Sequence, residues 1–204
     1  MEYFDSQAAN WDTDIRTQRA KIIADKIRSL INGGQQKTAM EFGCGTGLIG
    51  FQLADSFHSL ILVDNSEGMI GKVRQKIDSL MKQNITAMCV DLISNAPADL
   101  RFDYIFSSMA LHHIEDIDSI FSRFYDLLNY GGSILVVDLD EDDGRFHANE
   151  PDFKGHNGFN QASISDQLCK AGFSNVQIQN FYHNSKEVNG EKVSYSLFIL
   201  VGIK

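Results

Sequence analysis

The order of apolar and polar stretches along the chain predicts strands and helices that alternate. Five short apolar segments predict strands, at residues 38–42, 60–63, 85–90, 104–106 and 134–137. The second segment, Leu60-Ile61-Leu62-Val63, is apolar without interruption. Such a run is typical of a strand that is buried on both faces of a parallel sheet.

Before, between and after these segments, apolar residues recur at helical spacing. This spacing predicts helices at residues 12–31, 47–56, 67–82, 115–128 and 163–171. Ser66 is the predicted N-cap of the third helix, because its hydroxyl can accept a hydrogen bond from the first turn. Gly131 and Gly132 are predicted to end the fourth helix. Strands that alternate with helices indicate βαβ units and a parallel sheet.

The C-terminal part of the chain follows a different pattern. Residues 176–182 and 195–203 predict two strands, and no helix fits between them. We therefore expect these strands to pair as an antiparallel hairpin, whose exposed edge would support a homodimer. Residues 140–160 are rich in charge and glycine, and they are predicted to form a surface loop or lid. The fold class is therefore α/β.

Length and charge narrow the function. The chain has 204 residues, which fits one domain or one domain with a small cap. Its net charge is −9 and it has no basic cluster, which disfavours nucleic acid and anionic membrane as partners. The N-terminus lacks the features of a secretory signal, and no apolar run is long enough to span a bilayer. These features predict a cytoplasmic protein.

The three cysteines predict no disulfide and no metal site. Cys44, Cys89 and Cys169 are far apart and odd in number. They are expected to be reduced, mostly buried thiols. No Cys/His spacing of the zinc-binding type occurs, so the sequence predicts no metal ligands.

Chemistry concentrates where the predicted strands end. The first strand runs into Glu41-Phe42-Gly43-Cys44-Gly45-Thr46-Gly47, whose alternate glycines let the backbone approach a ligand closely. Asp64 ends the second strand, and Asp91 ends the third. A carboxylate at such a strand end can accept both hydroxyls of a ribose, and ligands of open α/β sheets bind at this edge.

These segments resemble the motifs of the class I S-adenosylmethionine-dependent methyltransferases over roughly residues 38–140. Glu41–Gly47 is similar to their E/D-x-G-x-G-x-G motif. Residues 63–69 and 91–92 are similar to the segments beside the ribose and the adenine. Residues 102–113 resemble motif IV, and residues 128–132 resemble the turn before the fifth strand. The N-terminal pattern Phe4-Asp5-x-x-Ala8-x-x-Trp11-Asp12 is similar to small-molecule members, including those of the quinone-biosynthesis branch.

The resemblance implies a Rossmann-like, mostly parallel seven-stranded sheet with helices on both faces. It also implies one methyltransferase domain over residues 1–204, in which residues 1–34 form a helical cap and residues 140–160 a lid. S-adenosylmethionine would be the cofactor, and a small molecule the methyl acceptor. The residues that the resemblance implies in cofactor binding are Glu41, Gly43, Cys44, Gly45, Gly47, Asp64, Asn65, Met69, Asp91, Leu92 and Ser107. Tyr3 and Trp11 either close the cofactor pocket or pack a helix on the sheet.

Two adjacent histidines are the candidate catalytic residues. His112 and His113 follow the fourth strand, and a histidine titrates near neutral pH, as a general base must. Consecutive residues of an extended segment point in opposite directions, so at most one of them is expected to face an acceptor. The alternative is that one packs structurally while the other caps the next helix. His156, in the predicted lid, is a second candidate base.

Parts of the sequence also allow three other interpretations. Gly45-Thr46-Gly47-Leu48-Ile49-Gly50 fits GxGxxG, and Tyr182 with Lys186 fits the YxxxK pair of nicotinamide-dependent reductases. That pair should lie on a helix, whereas Tyr182 lies in strand-like sequence. Residues 138–144 do not fit a calcium loop, which favours a solvated acidic loop. A cofactor-binding module without catalysis would show the same glycine turn and acids.

Overall fold

The structure is a computed structural model that describes residues 2–95, 97, 99–150 and 153–204. It contains one mixed sheet of seven strands, which is mostly parallel. The strands are β1 (Thr38–Phe42), β2 (Ser59–Asp64), β3 (Ile85–Cys89), β4 (Phe102–Ser108), β5 (Leu128–Leu139), β6 (Ser174–Val188) and β7 (Glu191–Ile203).

The strand order is β3-β2-β1-β4-β5-β7-β6. β1 pairs in parallel with β2, and β2 with β3, so that Phe42 lies beside Val63 and Asp64 beside Cys89. β7 pairs antiparallel with both β5 and β6. The predicted α/β class, the mostly parallel sheet and the C-terminal hairpin are therefore confirmed.

The described residues contain seven α-helices, two before β1 and five between strands, and side-chain caps define where several of them begin. They are α1 (Glu2–Gln7), α2 (Asp14–Arg28), α3 (Gly50–Leu53), α4 (Glu67–Leu80), α5 (Leu92–Asn95), α6 (Ile117–Leu127) and α7 (Gln161–Lys170). Ser66 caps α4 as predicted, since its hydroxyl accepts a hydrogen bond from the Met69 N–H at 3.1 Å. Asp116 caps α6 in the same way, through the Ser119 N–H at 2.9 Å. The cap of this helix is therefore an aspartate and not one of the two adjacent histidines.

The chain divides into two compact units, Met1–Phe106 and Ser107–Lys204. In the first unit, the fully buried side chains include Ile23, Leu60, Leu62 and Phe106. In the second unit, Phe121, Phe124 and Phe198 are fully buried. Each unit therefore has apolar residues enough for a core of its own.

Two predicted element boundaries were wrong. The helix expected at residues 47–56 reduces to α3 and a 3-10 turn over Ala54–Ser56. Gly131 and Gly132 do not end a helix, because α6 ends at Leu127 and both glycines lie in β5. The reason is pairing with the chain end: the Gly131 N–H donates to the Lys204 carbonyl, and the Lys204 N–H to the Gly132 carbonyl, each at 3.0 Å.

The cysteines are free, but only Cys44 is buried; Cys89 is half-buried and Cys169 is exposed. The expectation of mostly buried thiols was therefore wrong. The described part of residues 140–160 includes a 3-10 turn, Arg145–His147, and the buried side chains of Phe146 and Phe159. Pro151 and Asp152 of this predicted lid lie outside the described residues. In the part of the chain that the structure describes, no helix combines the length and apolar character needed to cross a membrane.

Candidate active site

The glycine-rich turn between β1 and α3 has a backbone that only glycine adopts easily. Gly43, Gly45 and Gly47 all have positive φ angles, of 65°, 54° and 82°. The Cys44 N–H donates to the Val63 carbonyl at 3.0 Å, which ties the turn to the end of β2. A Cβ atom at Gly47 would lie 2.8 Å from the Phe51 ring. The turn therefore presents backbone rather than side chains at the carboxyl end of β1.

Asp64 connects this turn to the next strand end. Its carboxylate accepts hydrogen bonds from the Gly45 N–H at 2.8 Å and the Ser66 N–H at 3.0 Å. The side chain is half-buried. Burial raises the pKa of Asp64, although these N–H groups act in the opposite direction. Each carboxylate oxygen keeps further acceptor capacity, which a hydroxyl-bearing ligand can use.

Glu41 is the most buried acid of this unit, with 2% of its surface exposed. Its Oε2 atom has no hydrogen-bond partner. Burial raises the pKa of Glu41 to about 8, and the Gly50 N–H offsets this only in part. An unpartnered, buried carboxyl oxygen is costly, so a donor from a ligand would stabilise it.

The N-terminal segment contacts the glycine turn. The Thr46 hydroxyl donates to Asp12, and Lys76 donates to the Thr46 carbonyl at 2.7 Å while it pairs with Asp12 at 2.8 Å. A Cβ atom at Gly45 would lie 3.5 Å from the indole nitrogen of Trp11. Within this unit, Trp11 thus lies beside the turn.

Asp5 makes a second contact, with the start of α4. Its carboxylate accepts from the Ser66 hydroxyl at 2.6 Å and from the Gly68 N–H at 2.9 Å. Tyr3, in contrast, is 49% exposed. The two contacts of Asp5 and Asp12 hold the N-terminal segment over the turn that follows β1 and the turn that follows β2.

The other predicted cofactor residues differ in their exposure. Asn65 is exposed, whereas Met69 and Leu92 are buried. Asp91 is exposed and accepts from the Ile93 N–H and the Ser94 hydroxyl, which makes it a cap of α5. Ser107 is buried in the second unit, and its hydroxyl has no hydrogen-bond partner.

In the second unit, His112 and His113 lie in a 3-10 turn over Leu111–His113. The prediction that they point in opposite directions was wrong, because it assumed an extended backbone. Their ring centroids are 4.2 Å apart. His112 is buried, and its Nδ1 atom is 2.5 Å from Asp138 Oδ1. His156 is engaged elsewhere, since its Nε2 atom bonds the Ile114 carbonyl at 3.0 Å.

Asp138 is fully buried at the end of β5, so the expected solvated loop does not begin here. Its carboxylate accepts from the Leu111 N–H at 3.0 Å and the Leu139 N–H at 2.8 Å, besides its contact with His112. Burial raises the pKa of Asp138, but His112 and the backbone N–H groups outweigh it and hold the pKa below its usual value. Asp138 is therefore an ionised partner of His112.

His147 joins the two histidines, and the sequence analysis missed it. Its ring lies 5.0 Å from that of His112 and 5.7 Å from that of His113, and it stacks on Phe153 at 3.8 Å. Burial lowers the pKa values of His113 and His147 to about 3, so both imidazoles are neutral at pH 7.

A sequence signal did exist for Asp138. An acid that ends a buried apolar strand needs a partner, and the segment Ile134–Val137 precedes Asp138 just as Leu60–Val63 precedes Asp64. No such signal existed for His147, which is a single histidine in a segment of irregular sequence.

Comparison with known proteins fits these observations. Residues 39–132 match the family model described as a methyltransferase domain. An uncharacterized methyltransferase of Schizosaccharomyces pombe is 29% identical over 177 residues, which cover 78% of this chain and 62% of that protein. Phosphoethanolamine N-methyltransferase 2 of Caenorhabditis elegans is 29% identical over 160 residues, which cover 74% of this chain and 36% of that protein. The chain thus spans less than two thirds of the length of these relatives.

A solved structure agrees at the level of the fold. Phosphoethanolamine N-methyltransferase 2 of Haemonchus contortus, in complex with phosphomonomethylethanolamine and S-adenosylhomocysteine, has a TM-score of 0.73 at 17% identity. The match covers 87% of this chain and 51% of that chain.

A glycine turn and a strand-end acid on a sheet with this order and C-terminal hairpin define the class I methyltransferase fold. Over residues 39–132, the chain is similar to the methyltransferase domain family. Its assignment to the quinone-biosynthesis-like branch stays a prediction.

Proposed function

We propose that this chain transfers a methyl group from S-adenosylmethionine to a small-molecule acceptor. The observation that carries the proposal is the half-buried Asp64 carboxylate, whose hydrogen-bond donors in this structure are backbone N–H groups of the adjacent turns. A carboxylate in that position can accept the ribose hydroxyls of the cofactor.

The other cofactor contacts follow from the same edge of the sheet. The turn of Gly43, Cys44, Gly45 and Gly47 would approach the cofactor with its backbone, because its glycines carry no side chains there. The unpartnered Oε2 of Glu41 suits the cationic amino group of the methionyl moiety, through a direct or a bridged hydrogen bond.

Five further residues complete the proposed cofactor set. Asn65 and Asp91 would contact the ribose and adenine end, and the Leu92 backbone N–H would serve the adenine edge. Met69 would pack near the adenine. From motif IV, Ser107 would contact the cofactor through its hydroxyl, which has no hydrogen-bond partner in this structure.

The N-terminal contacts support a cap over the cofactor in a single domain of residues 1–204. Asp12, through Thr46 and Lys76, and Asp5, through Ser66, would keep residues 1–34 over the glycine turn. Trp11 would then exclude water from the cofactor. Residues 140–160 would act as the lid of the acceptor side.

Methyl transfer is a displacement at a sulfonium carbon, so the enzyme mainly aligns the acceptor and excludes water. No covalent nucleophile is needed. Where the acceptor is a hydroxyl or a protonated amine, a base assists. His112, oriented by Asp138, and its neighbour His113 are the groups proposed to act on the acceptor.

The acceptor is proposed to be small and not a nucleic acid, because the chain carries a net charge of −9. The C. elegans relative that is named for phosphoethanolamine supports the small-molecule class. A cytoplasmic location and a homodimer are further proposals. The homodimer would form through β6, which is a 15-residue strand at the edge of the sheet.

The nicotinamide-reductase alternative loses its support. Tyr182 and Lys186 lie on β6, and a strand does not supply the helical spacing that the YxxxK pair requires. Lys186 instead lies over the Phe146 ring, 3.7 Å from its centroid.

Thermal melting with S-adenosylhomocysteine, NADH and NADPH tests the proposal. A ligand at a hundredfold excess over its Kd adds about 2.7 kcal/mol, which raises the Tm by roughly 5–10 °C for a domain of this size. We expect this shift with S-adenosylhomocysteine alone. Asp64→Asn should lose about half of the shift or more, whereas Asp78→Asn, at an exposed position of α4, should keep it.

Transfer of a labelled methyl group to a panel of small amines, alcohols and thiols then tests catalysis. A Tm shift without transfer to any acceptor would favour a cofactor-binding module. A shift with a nicotinamide alone would overturn the methyltransferase proposal.

A further inference from the structure

Three histidines of the second unit form a compact group, called the histidine cluster below: His112, His113 and His147. One ring nitrogen of each lies within 4.8 Å of the other two. Two of the residues come from the 3-10 turn after β4, and the third comes from the turn Arg145–His147. The fold thus assembles a set of nitrogen donors that no spacing in the sequence indicates.

Asp138 orients one member of the cluster. It engages Nδ1 of His112 at 2.5 Å, which leaves Nε2 as the donor atom of this ring. A carboxylate on the far nitrogen of an imidazole is the usual partner of a metal-bound histidine, because it sets the tautomer and raises the basicity of the ligand. The Leu111 and Leu139 N–H groups hold the carboxylate itself in place.

His147 supplies a second, independent observation. Its Nδ1 atom is buried and has no hydrogen-bond partner, and the residue is only 5% exposed. A buried nitrogen left unpaired is costly, because it has lost its hydrogen bonds to water and has gained none in the protein. Phe153 stacks on the same ring and restricts its rotation. A ligand bound at this Nδ1 atom would remove the cost of the unpaired nitrogen.

We propose that the histidine cluster binds one divalent transition-metal ion, with Zn²⁺ as the first candidate. Imidazole nitrogens favour zinc, copper, nickel and iron over magnesium and calcium, which prefer oxygen donors. Three imidazoles with one open position form the type of site that binds a water or a substrate atom as fourth ligand.

The geometry requires a small adjustment. Zn–N bonds are about 2.0–2.1 Å long, so that donors around a tetrahedral ion lie about 3.4 Å apart. The spread of up to 4.8 Å among the three nitrogens would have to close by small shifts of the three side chains. The two neighbouring residues His112 and His113 already have ring centroids 4.2 Å apart.

A role for the ion in catalysis rests on the proposed methyl transfer. At the open position, the ion would bind the oxygen or sulfur of the acceptor and lower its pKa, so that its proton passes to solvent. That atom would then form the bond to the methyl carbon while the electrons of the S–CH3 bond stay on the sulfur of S-adenosylhomocysteine. A metal-bound His112 has no lone pair to act as a base, so the ion would replace it in that role.

Calorimetric titration of the whole chain with Zn²⁺, after removal of metals with a chelator, tests the site. We expect one Zn²⁺ per chain. His147→Gln and His113→Gln should each weaken binding at least tenfold, because each removes one donor. His183→Gln, at an exposed histidine of β6, is the matched control and should bind as the wild type does. With Co²⁺, the wild type should show the intense visible bands of a tetrahedral nitrogen-rich site.

X-ray absorption at the zinc edge of the wild type needs no variant, and it should show three imidazole donors. Absence of Zn²⁺ binding, or equal affinity in His147→Gln and His113→Gln, would overturn the site. The melting response to S-adenosylhomocysteine, measured on the same samples, reports separately on the proposed cofactor. A loss of that response with Zn²⁺ binding intact would contradict the cofactor proposal and leave the metal site standing.

Discussion

The two units each place an acid at the end of a buried strand, but the acids have opposite surroundings. In the first unit, Glu41 and Asp64 have raised pKa values, and no salt bridge in the described part of the chain involves either of them. In the second unit, Asp138 has a lowered pKa and a histidine in contact. Glu41 and Asp64 are therefore suited to binding a ligand, whereas Asp138 already bonds to groups of the protein itself.

This contrast indicates that Asp64 is suited to ligand binding and Asp138 to positioning His112. Asp64 is half-buried, so a ligand can reach it. Asp138 is fully buried, and its donors come from one short turn, from Leu139 and from His112. The same pattern in the sequence, an acid after an apolar strand, thus leads to two different roles, which are distinguished by exposure and partners.

Removal of the Asp138 carboxylate should have the largest effect on stability. Asp138→Ala leaves the buried His112 without its partner, so that the free energy of unfolding should fall by about 3–5 kcal/mol. Urea unfolding at neutral pH measures this. Asp126→Ala, at an exposed position of α6, is the control and should change stability by less than about 0.5 kcal/mol. Equal effects of the two substitutions would remove the distinction between the two kinds of acid.

The buried acid of the first unit, Glu41, should make stability depend on pH in a characteristic way. Glu41 has a pKa of about 8 in the fold, against 4.5 as its ordinary value. The unfolded chain therefore ionises first, and this carboxyl lowers stability progressively as the pH rises from its ordinary pKa toward 8.

Glu41→Gln cannot ionise, so its stability relative to the wild type should grow over that range. At pH 7 the difference should be about 3 kcal/mol in favour of the variant. Unfolding curves between about pH 5 and about pH 8 check this. Parallel profiles of the two proteins would mean that Glu41 is ionised in the fold and has a cationic partner.

Loss of the N-cap of α4, in the first unit, should have a smaller effect on stability. Ser66→Ala removes the N-cap of α4 and the hydroxyl that Asp5 accepts from, and it should cost about 1 kcal/mol. Ser79→Ala, at an exposed position near the end of the same helix, should cost much less. Similar losses in thermal melting would show that Ser66 contributes no cap energy.

Much of this architecture could be predicted from the sequence. Leu60–Val63 with Asp64 marked a buried parallel strand and its carboxyl end, because a continuous apolar run has few other stable placements. Ser66 was found as an N-cap by local chemistry alone. The antiparallel hairpin followed from the lack of a helix between two strand patterns.

The rest depended on contacts between distant parts of the chain. Gly131 and Gly132 have a helix-ending composition, but pairing with Lys204 draws them into β5. His147 has no pattern of its own, and it joins His112 only because two separate turns meet. Asp138 was passed over as part of an acidic loop, although its place after an apolar strand was the same signal that identified Asp64.

Titration of S-adenosylhomocysteine into the wild type, Asp64→Asn and Asp138→Asn compares the two kinds of strand-end acid by their effect on cofactor binding. We expect Asp64→Asn to bind roughly 10–100-fold more weakly, since a charge-assisted hydrogen bond contributes about 1.5–3 kcal/mol. Asp138→Asn should bind with the affinity of the wild type. Equal affinity of the wild type and Asp64→Asn, or no binding by the wild type, would contradict the assignment of the cofactor to the strand-end acids of the first unit.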